Sequence, residues 1–260
     1  MNLRPRKRFG QHFLHDAGVI HDIVNHARIA ANEVLCEIGP GRGALSDELA
    51  KKENPLHLIE IDRDLVPLLR ERYKAKPQIT VHEQDALTLD LAALNAPTPL
   101  VLLGNLPYNI STALMIHLSS QRERIERMLF MVQKEVAERL SAIPGSKDYG
   151  RLSVMMGRLF EIDLVFDVGP QAFNPPPKVW SSVVAFKPRS IPLGDAVHDE
   201  SFEHLVRQAF SQRRKTLRNT LKGLCGEEVI IEAGIDPTVR PERVSIEAFT
   251  RLVSLSEKLN

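Results

Sequence analysis

Val34-Leu35-Cys36-Glu37-Ile38-Gly39-Pro40-Gly41-Arg42-Gly43 decides the fold of this 260-residue chain. Its first five residues form an apolar run broken by one acid, which predicts a buried strand. The glycine-rich turn then opens directly into a helical pattern through Leu45, Leu49 and Ala50. Glycines between a strand and a helix let the backbone approach a ligand closely and aim amide dipoles at it.

Working outward, the same grammar repeats. Upstream, Asp16 to Ile29 has helical spacing in Val19, Ile20, Ile23, Val24 and Ala27, with Asp16 as N-cap. Downstream, His57 to Ile61 reads as a strand and Leu65 to Tyr73 as a helix. Ile79 to His82 is a strand ending at Gln84-Asp85, and a short helical piece covers Leu89 to Leu94. Leu100 to Leu103 is a buried strand running into Asn105-Leu106-Pro107-Tyr108, with Ser111 to Leu118 as the next helix. Met128 to Val132 is a strand and Lys134 to Leu140 a helix. Strands alternating with helices predict a mostly parallel sheet covered on both faces, with ligands bound at the carboxyl ends of its strands.

From Phe160 the pattern changes. Ile162 to Val168 and Ser182 to Phe186 read as strands joined by Phe173-Asn174-Pro175-Pro176-Pro177-Lys178, an antiparallel edge with a stiff proline connection. Pro188 to Gly194 reads as a linker. Beyond it come helical patterns only, at Phe202 to Phe210, Arg213 to Leu224, Glu227 to Ala233 and Ile246 to Leu259. The expected organisation is a Rossmann-like α/β domain over residues 1–190 and a small all-helical domain over 195–260.

Composition sets the setting. With 43% hydrophobic and 26% charged residues the chain has the makeup of a globular protein. No run reaches the ~18 apolar residues of a membrane span. The cysteines, Cys36 and Cys225, lie far apart and outside any CxxC or Cys/His cluster, which argues against a disulfide framework or a zinc site and fits a cytoplasmic location. Net charge is only +1, but it is distributed unevenly. Arg4, Arg6, Lys7 and Arg8 have no acid among residues 1–15, and Arg213, Arg214, Lys215 and Arg218 lie in an acid-free stretch from 204 to 226. Two local basic patches suit a phosphate backbone.

Four carboxyl-end positions surround one cleft: Glu37 to Gly43, Glu60, Asp85, and Asn105 to Tyr108. Glu60 falls 21 positions after Gly39, near the ~20-residue offset at which an acid accepts ribose hydroxyls. The cleft therefore suits a nucleoside. The glycines run G-x-G-x-G rather than the G-x-G-x-x-G of dinucleotide binders, which disfavours a nicotinamide cofactor. In the last segment, Pro107 removes an N–H and holds Leu106 extended, leaving the Leu106 carbonyl out of a helix. With Asn105 and an aromatic ring beside it, this is a clamp for a flat base carrying an amino group.

Glu37-x-Gly39-x-Gly41-x-Gly43 resembles the S-adenosylmethionine loop of Rossmann-like class I methyltransferases, and Asn105 to Tyr108 resembles the clamp of those that methylate exocyclic amines. Together with Arg8-Phe9-Gly10-Gln11-His12-Phe13-Leu14, Ile59-Glu60-Ile61-Asp62, Gln84-Asp85-Ala86, Phe173 to Ser181 and the basic tail Gln212 to Asn219, these motifs resemble the ribosomal RNA adenine dimethyltransferases. Leu106 and the form of the tail are closer to the small-subunit members. The resemblance implies dimethylation of two adjacent adenosines in the 3′-terminal hairpin loop of 16S rRNA, by a monomer acting on an immature small subunit. It implies cofactor contacts from Gln11, His12, Leu14, Glu37, Gly39, Gly41, Glu60, Asp85 and Asn105, and catalysis at Asn105, Leu106, Pro107 and Tyr108. RNA contacts would come from the two basic patches. His12 departs from the family, where asparagine is common. No metal is implied. The alternatives are a large-subunit rRNA or DNA adenine methyltransferase, or an RNA-binding assembly factor with dispensable catalysis.

Overall fold

A computed structural model of the chain describes residues 12–97 and 99–259. In chain order the elements are β1 (Phe13–Leu14), α1 (Ala17–His26), β2 (Val34–Ile38), α2 (Ala44–Leu49), β3 (Leu56–Glu60), α3 (Leu65–Tyr73), β4 (Ile79–Glu83), β5 (Leu100–Asn105), α4 (Ser111–Ser119), β6 (Ile125–Gln133), α5 (Lys134–Leu140), α6 (Arg151–Leu159), β7 (Phe160–Val168), β8 (Phe173–Asn174) and β9 (Ser181–Pro188). The helices α7 (Asp199–Ala209), α8 (Leu217–Thr220), α9 (Glu227–Glu232) and α10 (Ile246–Leu259) follow. The fold is α/β, as the alternation predicts.

Seven strands form one sheet in the order β4-β3-β2-β5-β6-β9-β7. The pairs among β4, β3, β2, β5 and β6 are parallel, and β9 runs antiparallel to β6. The chain goes outward from β2 to β4 and then returns to β5 on the other side of β2. The strand order therefore reverses between β2 and β5, where an open α/β sheet has its binding crevice. β2 is buried along its whole length and β5 through Gly104, so both read as continuous apolar runs.

Gly104 is where these two strands close up. A Cβ there would sit 2.5 Å from the carbonyl oxygen of Ile38, a backbone atom that cannot swing aside. Gly104→Ala is expected to destabilise the protein by about 1–3 kcal/mol, the usual range for overpacking, read as a lower urea midpoint with unchanged slope. Beneath the crevice, Arg127 on β6 pairs both oxygens of Glu33 at 2.6 and 2.7 Å and donates to the carbonyls of Ala27 and Arg28. This fixes the turn that delivers the chain into β2.

By internal packing the chain divides into two units, one of residues up to 137 with 163–188 and one of 138–162 with 189 onward. The sequence boundary at 190–195 lies near the second crossing, but 138–162 belongs with the helices. The reason is α6, whose Val154 and Met155 belong to the core of the second unit. Leu152, Met155, Met156 and Leu159 keep helical spacing, and seven of its nine residues are buried, Ser153 and Arg158 among them. Its start is fixed by Ser153, whose hydroxyl accepts from the Gly150 N–H and donates to the Arg139 carbonyl. Within the second unit, Phe202, Leu205, Leu217, Ile230, Phe249 and Leu252 form the centre of a separate core.

Two local expectations are corrected. Arg213 to Leu224 is not one helix: only Leu217–Thr220 is helical. The Leu217 and Arg218 N–H groups bond instead to the carbonyls of Val239 and Pro237, so the helical ladder cannot extend back through the adjacent cations. The piece at Leu89 to Leu94 is two 3-10 turns, Ala86–Thr88 and Leu91–Leu94, capped by Asp85 and Asp90. No described helix is long and apolar enough to cross a membrane.

Candidate active site

Within the first unit, the carboxyl ends of β2, β3, β4 and β5 enclose a cavity of about 280 Å³, close to the lower end of small-molecule pockets, about 300–1,000 Å³. The predicted residues His12, Leu14, Glu37, Gly39, Gly41, Glu60, Asp85, Asn105, Leu106 and Pro107 all line it. Gln11, Arg4, Arg6, Lys7 and Arg8 lie outside the described residues. Arg213, Arg214, Lys215 and Arg218 are exposed on the second unit, on the turn and the short helix α8.

The glycine loop leaves β2 and is gripped from below. Gly41 has φ +57°, and a Cβ there would lie 3.1 Å from the Phe13 ring, so only glycine suits both its conformation and its packing. Its N–H donates to Glu60 Oε2 at 3.0 Å, while Glu60 Oε1 accepts from the Asp62 N–H at 2.9 Å. Glu60 is 5% exposed. Burial raises its pKa, with the Asp62 and Gly41 N–H groups pulling the other way. Each oxygen retains a lone pair for a ligand hydroxyl. Beyond the loop, Arg72 donates to the Arg42 carbonyl at 2.6 Å and Tyr73 donates to Asp47 at 2.7 Å.

Glu37 lies at the floor, 1% exposed, with Ser46 Oγ donating to its Oε2 at 2.6 Å. Burial pushes its pKa up to about 8, opposed by the Ser46 bond and reinforced by Glu60 and Asp47. The folded-state value thus lies above the unfolded one near 4.3. Glu37 has no effect below that pH, and the unfolded state gains progressively as pH rises to about 8. Glu37→Gln is therefore expected to flatten the loss of stability between pH 4.5 and 8, by on the order of a few kcal/mol at the upper end, measured as urea midpoints across that range. Cys36, next to it, is buried with its thiol pushed up to about 12, so it stays protonated and unreactive.

Three features of the site escape a sequence reading. The short strand β1 pairs antiparallel with β8, Phe13 opposite Asn174 and Leu14 opposite Phe173. This lays His12 to Leu14 along the cavity, with the Arg42 guanidinium 4.5 Å from the Phe13 ring centre. Asn105 Nδ2 donates to the His12 carbonyl at 2.9 Å, which orients the amide and leaves Oδ1 as its acceptor. Tyr108 does not line the cavity. Its ring, expected to meet a base, lies against the His12 ring at 5.5 Å and 27°, and its hydroxyl is 2.8 Å from Ser181 Oγ. Burial raises the Tyr108 pKa and the Ser181 bond lowers it, with burial the larger. A two-residue strand has too few positions to show a period, and nothing local in sequence marks a contact across 73 or 93 residues. Ile61 and Leu87 add apolar walls. Among the described residues no three His, Cys, Asp or Glu side chains gather to hold a metal.

The residues present fit S-adenosylmethionine. The left-handed glycine cradle, a buried carboxylate after β3, the Asp85 carboxylate after β4 and apolar Ile61 and Leu87 between them offer what a nucleoside with a charged tail requires. Sheet order and crevice define a class I methyltransferase fold, of which S-adenosylmethionine is the methyl donor. Residues 2–258 match the model of the ribosomal RNA adenine dimethylase family, and the chain belongs to that family. It is 49% identical over 252 residues to the ribosomal RNA small subunit methyltransferase A of Pseudomonas aeruginosa, covering 96% of this chain and 94% of that one. The protein of the same name from Hahella chejuensis is 48% identical over 250 residues, covering 96% and 92%. Among solved structures, a dimethyladenosine transferase from Plasmodium falciparum superposes with TM-score 0.81 at 26% identity, covering 95% of this chain and 98% of that one. The 23S rRNA methyltransferase ErmE superposes at 0.70 and 29%, covering 94% and 99%. The chain is thus an S-adenosylmethionine-dependent rRNA adenine dimethyltransferase.

Proposed function

We propose that the chain dimethylates the exocyclic amino groups of two adjacent adenosines in the 3′-terminal hairpin loop of 16S rRNA, within an immature small subunit in the cytoplasm, acting as a monomer. The observation that carries the chemistry is the Asn105 amide, fixed by the His12 carbonyl with its Oδ1 left to accept, beside Leu106 in the lining of the donor cavity. The choice of small subunit is supported by the names of the relatives at 48–49% identity.

When bound, S-adenosylmethionine would supply an electrophilic methyl group on its sulfonium, the sulfur keeping the pair of the broken S–C bond and leaving as a neutral thioether. Glu60 would hold its ribose, Asp85 its adenine amino group, and the backbone at Gly39 and Gly41 its methionine part. His12 and Leu14 would cover it. Asn105 Oδ1 and the Leu106 carbonyl would accept from the two protons of the target amine. That draws the nitrogen lone pair out of the ring and stabilises positive charge on nitrogen as the new N–C bond forms. The proton then leaves to water. Positioning accounts for much of the remaining rate, since in-line displacement needs alignment more than acid–base help. Tyr108, its hydroxyl held by Ser181, offers a ring for stacking a base extruded from an unpaired loop. The exposed cations Arg213, Arg214, Lys215 and Arg218 would take phosphates.

Labelled donor offered separately with unmodified small subunits, large subunits and DNA tests the assignment. Label in small-subunit RNA alone is the expected result. Label in another acceptor moves the substrate, and donor binding without transfer to any of them favours an assembly factor.

A further inference from the structure

The connection between β8 and β9 ends on a side chain for which methyl transfer has no use. Pro175, Pro176 and Pro177 supply no N–H and hold φ near −65°, so the connection is stiff. It is tied to the site at both ends. His12 Nδ1 lies 2.7 Å from the Pro175 carbonyl, the Lys134 N–H donates to the Trp180 carbonyl at 2.9 Å, and Ser181 Oγ is 2.8 Å from the Tyr108 hydroxyl. On this anchored backbone Trp180, the chain's single tryptophan, is 52% exposed. Val179 beside it is 43% exposed, and Lys178 is exposed as well. The indole therefore stands in water one residue from the side chain that touches Tyr108, on a backbone with little freedom left to lose.

We propose that Trp180 is a stacking platform for the nucleobase next to the adenosine held in the clamp, with Lys178 beside it for that nucleotide's phosphate. The proposal rests on the functional reading above, because a nucleic-acid substrate is what brings a second unpaired base to this rim. Extruding one base of an adjacent pair removes its neighbour's stacking partner. An exposed indole replaces that partner without reading sequence, since every base has a π face.

The test uses the full chain with unmodified small subunits and labelled donor. Trp180→Ala is expected to raise KM for the subunits about tenfold, the scale of one lost base–aromatic stack, with kcat and donor affinity unchanged. Trp180→Phe, which keeps a ring, recovers most of the loss. In the wild-type chain the lone tryptophan also reports directly, and its emission should be quenched by a loop oligonucleotide with two adjacent unpaired adenosines. An unchanged KM in Trp180→Ala overturns the platform, as does a loss confined to kcat, which would mean that the residue acts on Tyr108 through Ser181. No transfer to small subunits by the wild-type chain overturns the functional reading and this proposal together, whereas transfer with unchanged KM removes the platform alone.

Discussion

Asn105→Ala is expected to lower kcat by about 10²–10³-fold, the loss seen when one preorganised hydrogen-bonding group is removed from a transition state. The Asn105 side chain has two jobs that the geometry separates. Its Nδ2 is committed to the His12 carbonyl at 2.9 Å, which settles the orientation of the amide and leaves Oδ1 to accept, under the proposed function from the reacting amine. The acceptor matters most when the amine carries positive charge, which occurs in the transition state and not in the bound ground state. The loss should therefore fall on kcat rather than KM. Asn105→Asp keeps an acceptor but sets a carboxylate oxygen against the His12 carbonyl, so it should retain more single-turnover activity than alanine while loosening donor binding. Unchanged turnover in Asn105→Ala would contradict the clamp.

Glu60→Ala produces the second large effect, a donor Kd raised roughly 10²-fold, or about 3 kcal/mol. Two ribose hydroxyls would lose a buried charged acceptor, each bond worth about 1.5–3 kcal/mol net. The same carboxylate holds the Gly41 and Asp62 N–H groups, so its removal also frees the glycine loop and lowers the melting temperature of the donor-free protein. Calorimetric titration with the donor and a thermal melt without it separate the two parts. A melt that falls while donor affinity stays at the wild-type value would assign Glu60 to the loop alone.

What could be seen in the sequence was whatever the chain states locally. Val34 to Gly43 announces strand, turn and helix within ten residues, and the acids and Asn105 follow their strands by position, so their gathering at one crevice comes from the parallel topology. Gly104 is the last residue before Asn105, yet its role depends on Ile38 across the strand pair and is invisible from either neighbour. The pairing of β1 with β8 and the His12–Tyr108 ring contact likewise depend on partners far away in the chain. In the second unit the errors have the opposite origin. Periodicity runs back through Arg213 to Lys215, but the Leu217 and Arg218 N–H groups go to the carbonyls of residues 239 and 237, and α6 lies outside the predicted elements because its apolar spacing from Leu152 to Leu159 is short and interrupted by Ser153 and Arg158.

The central claim is best tested by nucleoside analysis of small-subunit RNA after exhaustive reaction with the donor, with the modified positions mapped along the RNA. The proposed function predicts N6,N6-dimethyladenosine at two adjacent positions of the 3′-terminal loop, two methyl groups on each, and no other labelled nucleoside. Monomethyladenosine as the end product, or label at any other position, would contradict it.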